Sequence, residues 1–202
     1  MADRRTEGAR PLVLASGSRY RRSLLAEAGI VVIAISPEID ERSIDLEFDP
    51  TDPGAHALRL AHLKVRAVQR AAPAHALILA ADQLAVSGGS LLHQPGGSER
   101  AVEQLTALSG TTHQLVNGVV LLDIDNGTIW ERIDVHDITM RHFTREDATA
   151  YVGRFEPFDC AGSYRIEDDA DLIATVAGSG DDGVIGLPIN MVREMLAQAD
   201  RG

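Results

Sequence analysis

Short apolar runs alternate with segments of helical periodicity along most of the chain. Strands are predicted at the apolar runs 11–15, 30–35 and 77–81, the first of them buried. Helices are predicted where apolar residues recur at helical spacing, over about 20–28, 53–72, 98–108 and 144–152, with a last helix ending at 199. Residues 37–52 are acidic and show neither pattern, so an irregular segment is expected there.

Two hairpins interrupt this alternation. A glycine pair at 88–89 predicts a tight turn between two short strands. An Asp-Asn-Gly turn at 125–127 predicts a hairpin between longer strands at 112–124 and 128–139. Strands and helices arranged in this order predict an α/β fold with a mixed twisted sheet flanked by helices.

Length and composition suit an ordinary globular protein. The 202 residues predict a single domain over 11–200, after a disordered leader at 1–10. One cysteine, Cys160, excludes an internal disulfide and argues against a secreted, disulfide-stapled scaffold. No apolar run approaches the roughly 18 residues of a membrane span, and no signal peptide is recognisable. A cytoplasmic protein without membrane contact is therefore expected.

Charge is distributed unevenly along the sequence. Residues 1–22 hold six arginines against two acids, a net charge of +4, which leaves −15 for the rest of a chain whose total is −11. An acidic body repels a nucleic acid polymer, whereas a small basic region suits a small phosphorylated ligand. The alternative is that these arginines only solvate a helix surface.

A serine-rich turn joins the first predicted strand to the first predicted helix. Backbone N–H groups at such a turn, helped by the helix dipole, bind anions. Ser16 and Ser18 add hydroxyl donors, and Arg21 and Arg22 add guanidinium groups that match phosphate oxygens. The turn lacks the Gly-Lys-Ser/Thr of a Walker loop, and the alternative interpretation is a simple N-cap.

Carboxylates at two places are candidates for binding a divalent cation. Glu41 lies in the acidic stretch after the second strand, and Asp82 directly follows the third apolar run, where we expect the strand to end. For Glu41 the alternative is a solvated loop. An acid next to a buried run needs a partner, so that alternative is weaker for Asp82. Lys64, in the helix predicted over 53–72, would by itself be expected at the surface.

Together these segments resemble the Maf family of nucleotide pyrophosphatases. The match runs in order along nearly the whole chain, through Ala15-Ser16-x-Ser18 with Arg21, Pro37-Glu38-x-Asp40-Glu41, Leu60-Ala61-x-x-Lys64, the strand leading to Ala81-Asp82, Asp159-Cys160-Ala161-Gly162-Ser163-Tyr164, and Gly186-Leu187-Pro188. Each of these motifs is weak alone, and their occurrence in register makes the resemblance specific.

The resemblance implies two lobes around a deep cleft, often in a homodimer. It implies hydrolysis of a nucleoside triphosphate to nucleoside monophosphate and pyrophosphate with a divalent metal cation such as Mg²⁺ or Mn²⁺. By the same resemblance, Asp82 is the general base, and it shares metal binding with Glu41. Lys64 and Glu41 occupy the other catalytic positions, and the phosphate-binding turn holds Ser16, Ser18 and Arg21.

Three further positions bear on the base of the nucleotide. Tyr20, Gln83 and Glu167 are similar to the branch that prefers 7-methyl-GTP, whereas the dTTP/UTP branch typically has arginine, threonine and glutamine there. Methylation at N7 makes guanine cationic, which favours an aromatic face and a carboxylate as partners. Tyr20 would stack on the base and Glu167 would accept its N–H groups. The alternative for Tyr20 is packing on the helix face.

The sequence also departs from the family pattern. His93-Gln94-Pro95 stands where Gly-Lys-Pro is usual, and Arg19 replaces a proline. Loss of one cation facing a triphosphate would cost about 2–4 kcal/mol of transition-state stabilisation. Two other functions therefore remain open, a dTTP/UTP pyrophosphatase and a non-catalytic nucleotide-binding regulator of cell division.

Overall fold

The computed structural model describes residues 10–168, 171–178 and 183–201, so the leader expected at 1–10 lies outside the described residues except for Arg10. The strands are β1 (Leu12–Ala15), β2 (Ile33–Ile35), β3 (Leu77–Ser87), β4 (Ser90–Leu92), β5 (Thr112–Asp123), β6 (Ile129–Met140) and β7 (Ile173–Ala177). The α-helices are α1 (Arg19–Glu27), α2 (Glu41–Asp45), α3 (Pro53–Val68), α4 (Ser98–Leu108), α5 (Arg145–Phe155) and α6 (Ile189–Ala199).

The strands form one mixed sheet in the order β2-β1-β3-β5-β6-β7, with β4 paired to β3. β1 is parallel to both β2 and β3, whereas the β3–β4 and β6–β7 pairs are antiparallel. The predicted α/β fold with a mixed sheet is therefore confirmed. No helix in the described part of the chain is long and apolar enough to cross a membrane.

The first of two compact units lies within residues 1–82, 117–133 and 181–202. Alternate residues of its strands face opposite layers of helices. Leu14 and Leu79 belong to the cluster that includes residues of α1 and α6, and Val13 and Ile78 to the cluster that includes residues of α3. At Gly118, α3 approaches the sheet so closely that an added Cβ would lie 2.4 Å from the Ala57 carbonyl carbon.

The second unit lies within residues 83–116 and 134–180. Its helices α4 and α5 pack on each other, and they bury apolar side chains of both. Thr144 caps α5 through reciprocal hydrogen bonds with Asp147, as predicted, but the helix continues to Phe155, beyond its predicted end at 152. The single domain predicted over 11–200 and the cleft between two lobes stay predictions.

The prediction that the third strand ends at Asp82 is wrong. β3 continues through Gln83 to Ser87, which places Asp82 inside the strand. The apolar runs on either side of Asp82 therefore form one strand, because the buried carboxylate has a cationic partner, Lys64, that local sequence does not reveal. The glycine-pair turn that follows is confirmed by the pairing of Val86 with Leu91.

Two elements were not predicted. α2 lies in the acidic stretch expected to be irregular; none of its residues is buried, so no apolar stripe marks it. Asp40 caps it by accepting a hydrogen bond from the Ser43 backbone at 3.3 Å. β7 is an edge strand with mostly exposed residues, paired antiparallel to β6, and it also lacks a strong apolar pattern.

Arg10 ties the beginning of the described chain to the end of β5. Its guanidinium donates to both carboxylate oxygens of Asp123, at 2.6 and 2.5 Å, and to the His75 carbonyl at 2.9 Å. The hydrogen bond from Arg10 is the main reason that the pKa of Asp123 is lowered to about 2. Because the unfolded chain has an ordinary aspartate pKa, this pair stabilises the fold above about pH 4.

We expect Arg10→Ala to lower the free energy of unfolding by about 1–2 kcal/mol at pH 7, since Arg10 is itself partly exposed. The difference from wild type should shrink as the pH falls from about 4 toward about 1, because Asp123 becomes protonated in the folded as well as the unfolded chain only below its folded-state pKa of about 2. Urea unfolding of both proteins at several pH values measures this difference in the free energy of unfolding. Exposed Arg70→Ala is the control, and equal unfolding midpoints for wild type and Arg10→Ala at pH 7 would contradict the prediction.

Candidate functional site

The turn between β1 and α1 is held by its own serines. Ser16 is buried, and its Oγ accepts from the Ser18 backbone N–H at 3.1 Å. Ser18 is the N-cap of α1, and its Oγ accepts from the Arg21 N–H at 3.4 Å. The capping interpretation is thus confirmed. Phosphate binding by the same turn stays a prediction, because a capped helix start still presents backbone N–H groups and a favourable dipole.

Arg21 joins this turn to a segment far away in the sequence. Its Nε donates to the Gly186 carbonyl at 3.0 Å, and its Nη1 donates to Ser16 Oγ at 3.4 Å. Gly186 has a φ of 109°, which favours glycine, and Leu187 beside it is fully buried in the core of the first unit. The Gly186-Leu187-Pro188 motif therefore helps to fix the orientation of the guanidinium.

Lys64 lies between two carboxylates. It is buried on α3, hydrogen-bonds to Asp82 Oδ1, and forms an ion pair with Glu41 Oε1 at 2.8 Å. The surface position that a lone helical lysine suggests is therefore wrong here. Burial of an ammonium group is costly, and two carboxylates, one of them equally buried, offset that cost.

The serine turn and the lysine–carboxylate cluster are close to each other in the first unit. β1 and β3 are parallel with Leu14 opposite Leu79, so the turn that begins at Ser16 leaves the sheet beside the part of β3 that carries Asp82. Burial lowers the pKa of Arg21, and the charges of Asp82 and Glu41 act in the opposite direction. The three charged groups therefore interact electrostatically. Of the predicted site, the structure brings together Ser16, Ser18, Arg21, Glu41, Lys64 and Asp82.

The remaining predicted residues are placed differently. Arg22 has an exposed side chain on α1. Tyr20 is partly exposed, and the Arg19 guanidinium stacks 5.0 Å from its ring centroid and donates to its hydroxyl at 3.1 Å. Gln83 and the exposed Glu167 belong to the second unit. A joint role of Tyr20, Gln83 and Glu167 in base recognition stays a prediction.

Gln94, which stands where the family has lysine, is exposed in the second unit. The neighbouring His93 is also exposed, and its carbonyl accepts from Gln104 Nε2 at 2.9 Å. The main chain of His93 is therefore held in place by α4, the helix that carries Gln104. Compensation for the missing lysine by His93 or Arg19 stays untested.

The Cys160–Tyr164 motif is anchored by residues that sequence reasoning missed. Ser163 Oγ donates to Gln104 Oε1 at 2.6 Å, and Tyr164 OH is hydrogen-bonded to His113 Nε2 at 2.8 Å. Burial lowers the pKa of His113 to about 4, so its ring is neutral at pH 7. Burial also raises the pKa of Cys160 to about 11, which argues against a thiolate nucleophile.

The donor set of the first unit suits a hard cation. Asp82 and Glu41 converge on Lys64, and each carboxylate has a second oxygen capable of coordination. Within the described ranges, no group of three or more histidine, cysteine, aspartate or glutamate side chains could hold a metal ion. Mg²⁺ is commonly held by one or two carboxylates together with substrate phosphates. The two carboxylates therefore fit a cation that binds with its substrate.

Comparison with known proteins agrees with these motifs. The model of the Maf-like protein family matches residues 11–199. The chain is 35% identical over 188 residues to the 7-methyl-GTP pyrophosphatase of Idiomarina loihiensis, covering 92% of this chain and 93% of that protein. It is 36% identical over 189 residues to the 7-methyl-GTP pyrophosphatase of Pseudomonas putida, covering 93% and 96%. It is also 34% identical over 186 residues to the dTTP/UTP pyrophosphatase of Shigella boydii, covering 92% and 91%.

Proposed function

Because the chain belongs to the Maf-like protein family, we propose that it hydrolyses a nucleoside triphosphate between the α- and β-phosphates, releasing nucleoside monophosphate and pyrophosphate. The observation that carries the proposal is the buried Lys64 held between Asp82 and Glu41, next to the serine turn of α1. An anion-binding turn beside a pair of carboxylates is the arrangement that metal-assisted phosphate chemistry requires.

In this proposal the serine turn binds the triphosphate. The backbone N–H groups of the turn that do not donate to Ser16 or Ser18, together with the hydroxyl of Ser18, would donate to the phosphate oxygens. Arg21 adds a charged fork whose orientation Gly186 fixes. Asp82 and Glu41 would hold the divalent cation, Mg²⁺ or Mn²⁺, which when bound supplies Lewis-acid stabilisation of the phosphate charge.

Asp82 then acts as general base. Its carboxylate accepts a proton from the attacking water as the anhydride bond breaks and pyrophosphate leaves. Lys64 holds Asp82 in place through its hydrogen bond and neutralises charge that develops on the transferring phosphoryl group. Burial of both groups strengthens these interactions, because less water screens them.

The substrate that we propose is 7-methyl-GTP. Two relatives with that name are 35% and 36% identical to this chain, and Tyr20, Gln83 and Glu167 suit a cationic base. Arg19 already stacks on Tyr20, so a methylated guanine would displace Arg19 or use the other face of the ring. The alternative, dTTP or UTP, is supported by the 34% identity to the Shigella protein.

The proposal further includes a homodimer, which the resemblance supports, and a cytoplasmic location, which rests on the single cysteine and on a sequence without a recognisable signal peptide. Light scattering of the purified chain tests the homodimer, because a particle of about twice the 21.7 kDa chain mass is expected. A mass that stays at the monomer value over a wide concentration range would reject the homodimer.

Pyrophosphate release across a panel of 7-methyl-GTP, GTP, dTTP and UTP, with Mg²⁺ or Mn²⁺, tests the function. We expect the highest kcat/KM with 7-methyl-GTP and no turnover in excess chelator. Faster hydrolysis of dTTP and UTP would support the alternative substrate. Tight binding of a nucleotide without turnover of any member would instead support a regulator, which the replacement of lysine by Gln94 favours.

A further inference from the structure

The short helix that carries Glu41 has little to stabilise it locally. α2 is five residues long, and none of them is buried. An isolated helix of this length does not form in water, because nucleation costs more than a few backbone hydrogen bonds return. The position of Glu41 must therefore depend on contacts between α2 and the rest of the first unit.

His56 supplies such a contact at the far end of α2. It is buried on α3, and its Nε2 donates to Asp45 Oδ1 at 3.0 Å. The Phe48 ring, just after α2, packs edge-on against the His56 ring, with centroids 5.3 Å apart and an interplanar angle of 89°. One buried side chain thus combines a polar and an aromatic contact to this segment.

The two helices are joined at both ends of α2. Glu41 at the start binds Lys64, and Asp45 at the end binds His56, two helical turns earlier on α3. Glu41 is 48% exposed, so its ion pair is screened by water and holds the helix weakly by itself. The His56–Asp45 pair is much better shielded, with side chains 4% and 14% exposed.

We propose that His56 is a positioning residue: its bond to Asp45 orders α2 along α3 and so holds the Glu41 carboxylate at Lys64 and Asp82. This inference rests on the proposed function, in which Glu41 helps to bind the cation. Residues that orient metal-binding carboxylates typically change metal affinity or activity by about 10–100-fold when replaced. Nothing in the motifs of the sequence indicates His56.

A double-mutant cycle tests the proposal. We expect His56→Ala to lower kcat about tenfold and to raise the Mn²⁺ concentration needed for half-maximal rate. In a Glu41→Gln background the same change should lower kcat by less than about twofold, because His56 acts through Glu41. Equal losses in both backgrounds would overturn the proposal, and His56→Gln, which keeps an N–H donor, should recover part of the rate.

Arg59→Ala is the matched control. Arg59 joins the same two segments through Glu47 at 2.7 Å, but both side chains are largely exposed, 44% and 64%. Surface pairs of this kind contribute little, so we expect a change in kcat of less than about twofold. Should His56→Ala fail to fold, Asp45→Ala breaks the same hydrogen bond from α2 and is expected to have the same effects.

Amide hydrogen exchange separates this proposal from the proposed function. Without nucleotide or metal, exchange over residues 41–48 should rise at least about tenfold in His56→Ala and stay near wild type in Arg59→Ala. Unchanged exchange in His56→Ala would overturn the positioning role. Failure of the wild-type chain to hydrolyse any nucleotide would overturn the function, while the exchange result would still decide whether His56 orders α2.

Discussion

Asp82→Asn is expected to lower kcat by about 10³-fold or more while the fold persists. A general base contributes about 10²–10⁴-fold, and the neutral amide also loses the charge that would bind the cation. The amide oxygen still accepts the hydrogen bond from Lys64, so the buried ammonium keeps a partner. Pyrophosphate release in single turnovers, with circular dichroism as a check of folding, measures the effect.

The choice of asparagine over alanine is important for this test. Asp82→Ala would leave Lys64 with only the half-exposed Glu41, and removal of one partner of a buried ion pair costs about 3–5 kcal/mol. A loss of activity in the alanine variant would then have two causes, unfolding of the protein and loss of the general base. The asparagine variant separates them.

Asp137→Asn is the matched control, since Asp137 is an exposed aspartate on β6 whose contact with Gln114 an amide oxygen can keep. It should retain nearly full activity. We expect Glu41→Gln to lower kcat by about 10–100-fold, which lies between the effects of Asp137→Asn and Asp82→Asn. The effect is intermediate because Glu41 is half-exposed and Asp82 remains. A kcat of the Asp82→Asn variant within about tenfold of the wild-type kcat would contradict the role of Asp82 as general base.

The sequence predicts those parts of the fold whose causes are local. α3 begins at Pro53 and carries a regular apolar stripe, so its start and buried face are predictable. The turn at 125–127 is likewise a local signal, and Gly127 has the expected positive φ of 74°. α2 could not be predicted, because its order depends on Lys64 and His56, which lie on another helix.

In the site, too, the features with local causes were predictable and those that depend on distant residues were not. The turn from Ser16 to Arg21 was predictable as a candidate because a strand, a small-residue turn and a helix start follow each other directly. The prediction that β3 ends at Asp82 was wrong because the local sequence does not show which partner a buried charge has. A buried charge breaks a strand only when it lacks a partner, and Lys64 is 18 positions away on a helix. Only the resemblance pointed to Lys64 as part of the site.

Arg21→Ala is expected to lower kcat/KM by about 10²–10³-fold, the effect of removing one charged donor from a phosphate site. Arg21→Lys should recover only part of this loss. A lysine keeps the charge but cannot donate to the Gly186 carbonyl and Ser16 Oγ while also presenting a planar fork to phosphate. Steady-state kinetics on the best substrate of the nucleotide panel measure both variants.

Arg22→Ala provides the comparison, because Arg22 is the next residue of α1 and was also predicted to bind phosphate. Its side chain is exposed, whereas Arg21 is held by Gly186 and interacts with the charges of Asp82 and Glu41. We therefore expect a loss of less than about fivefold for Arg22→Ala, since an exposed surface arginine contributes mainly screened attraction. A larger loss at Arg22 than at Arg21 would mean that the triphosphate lies along the outer face of α1 rather than beside Asp82.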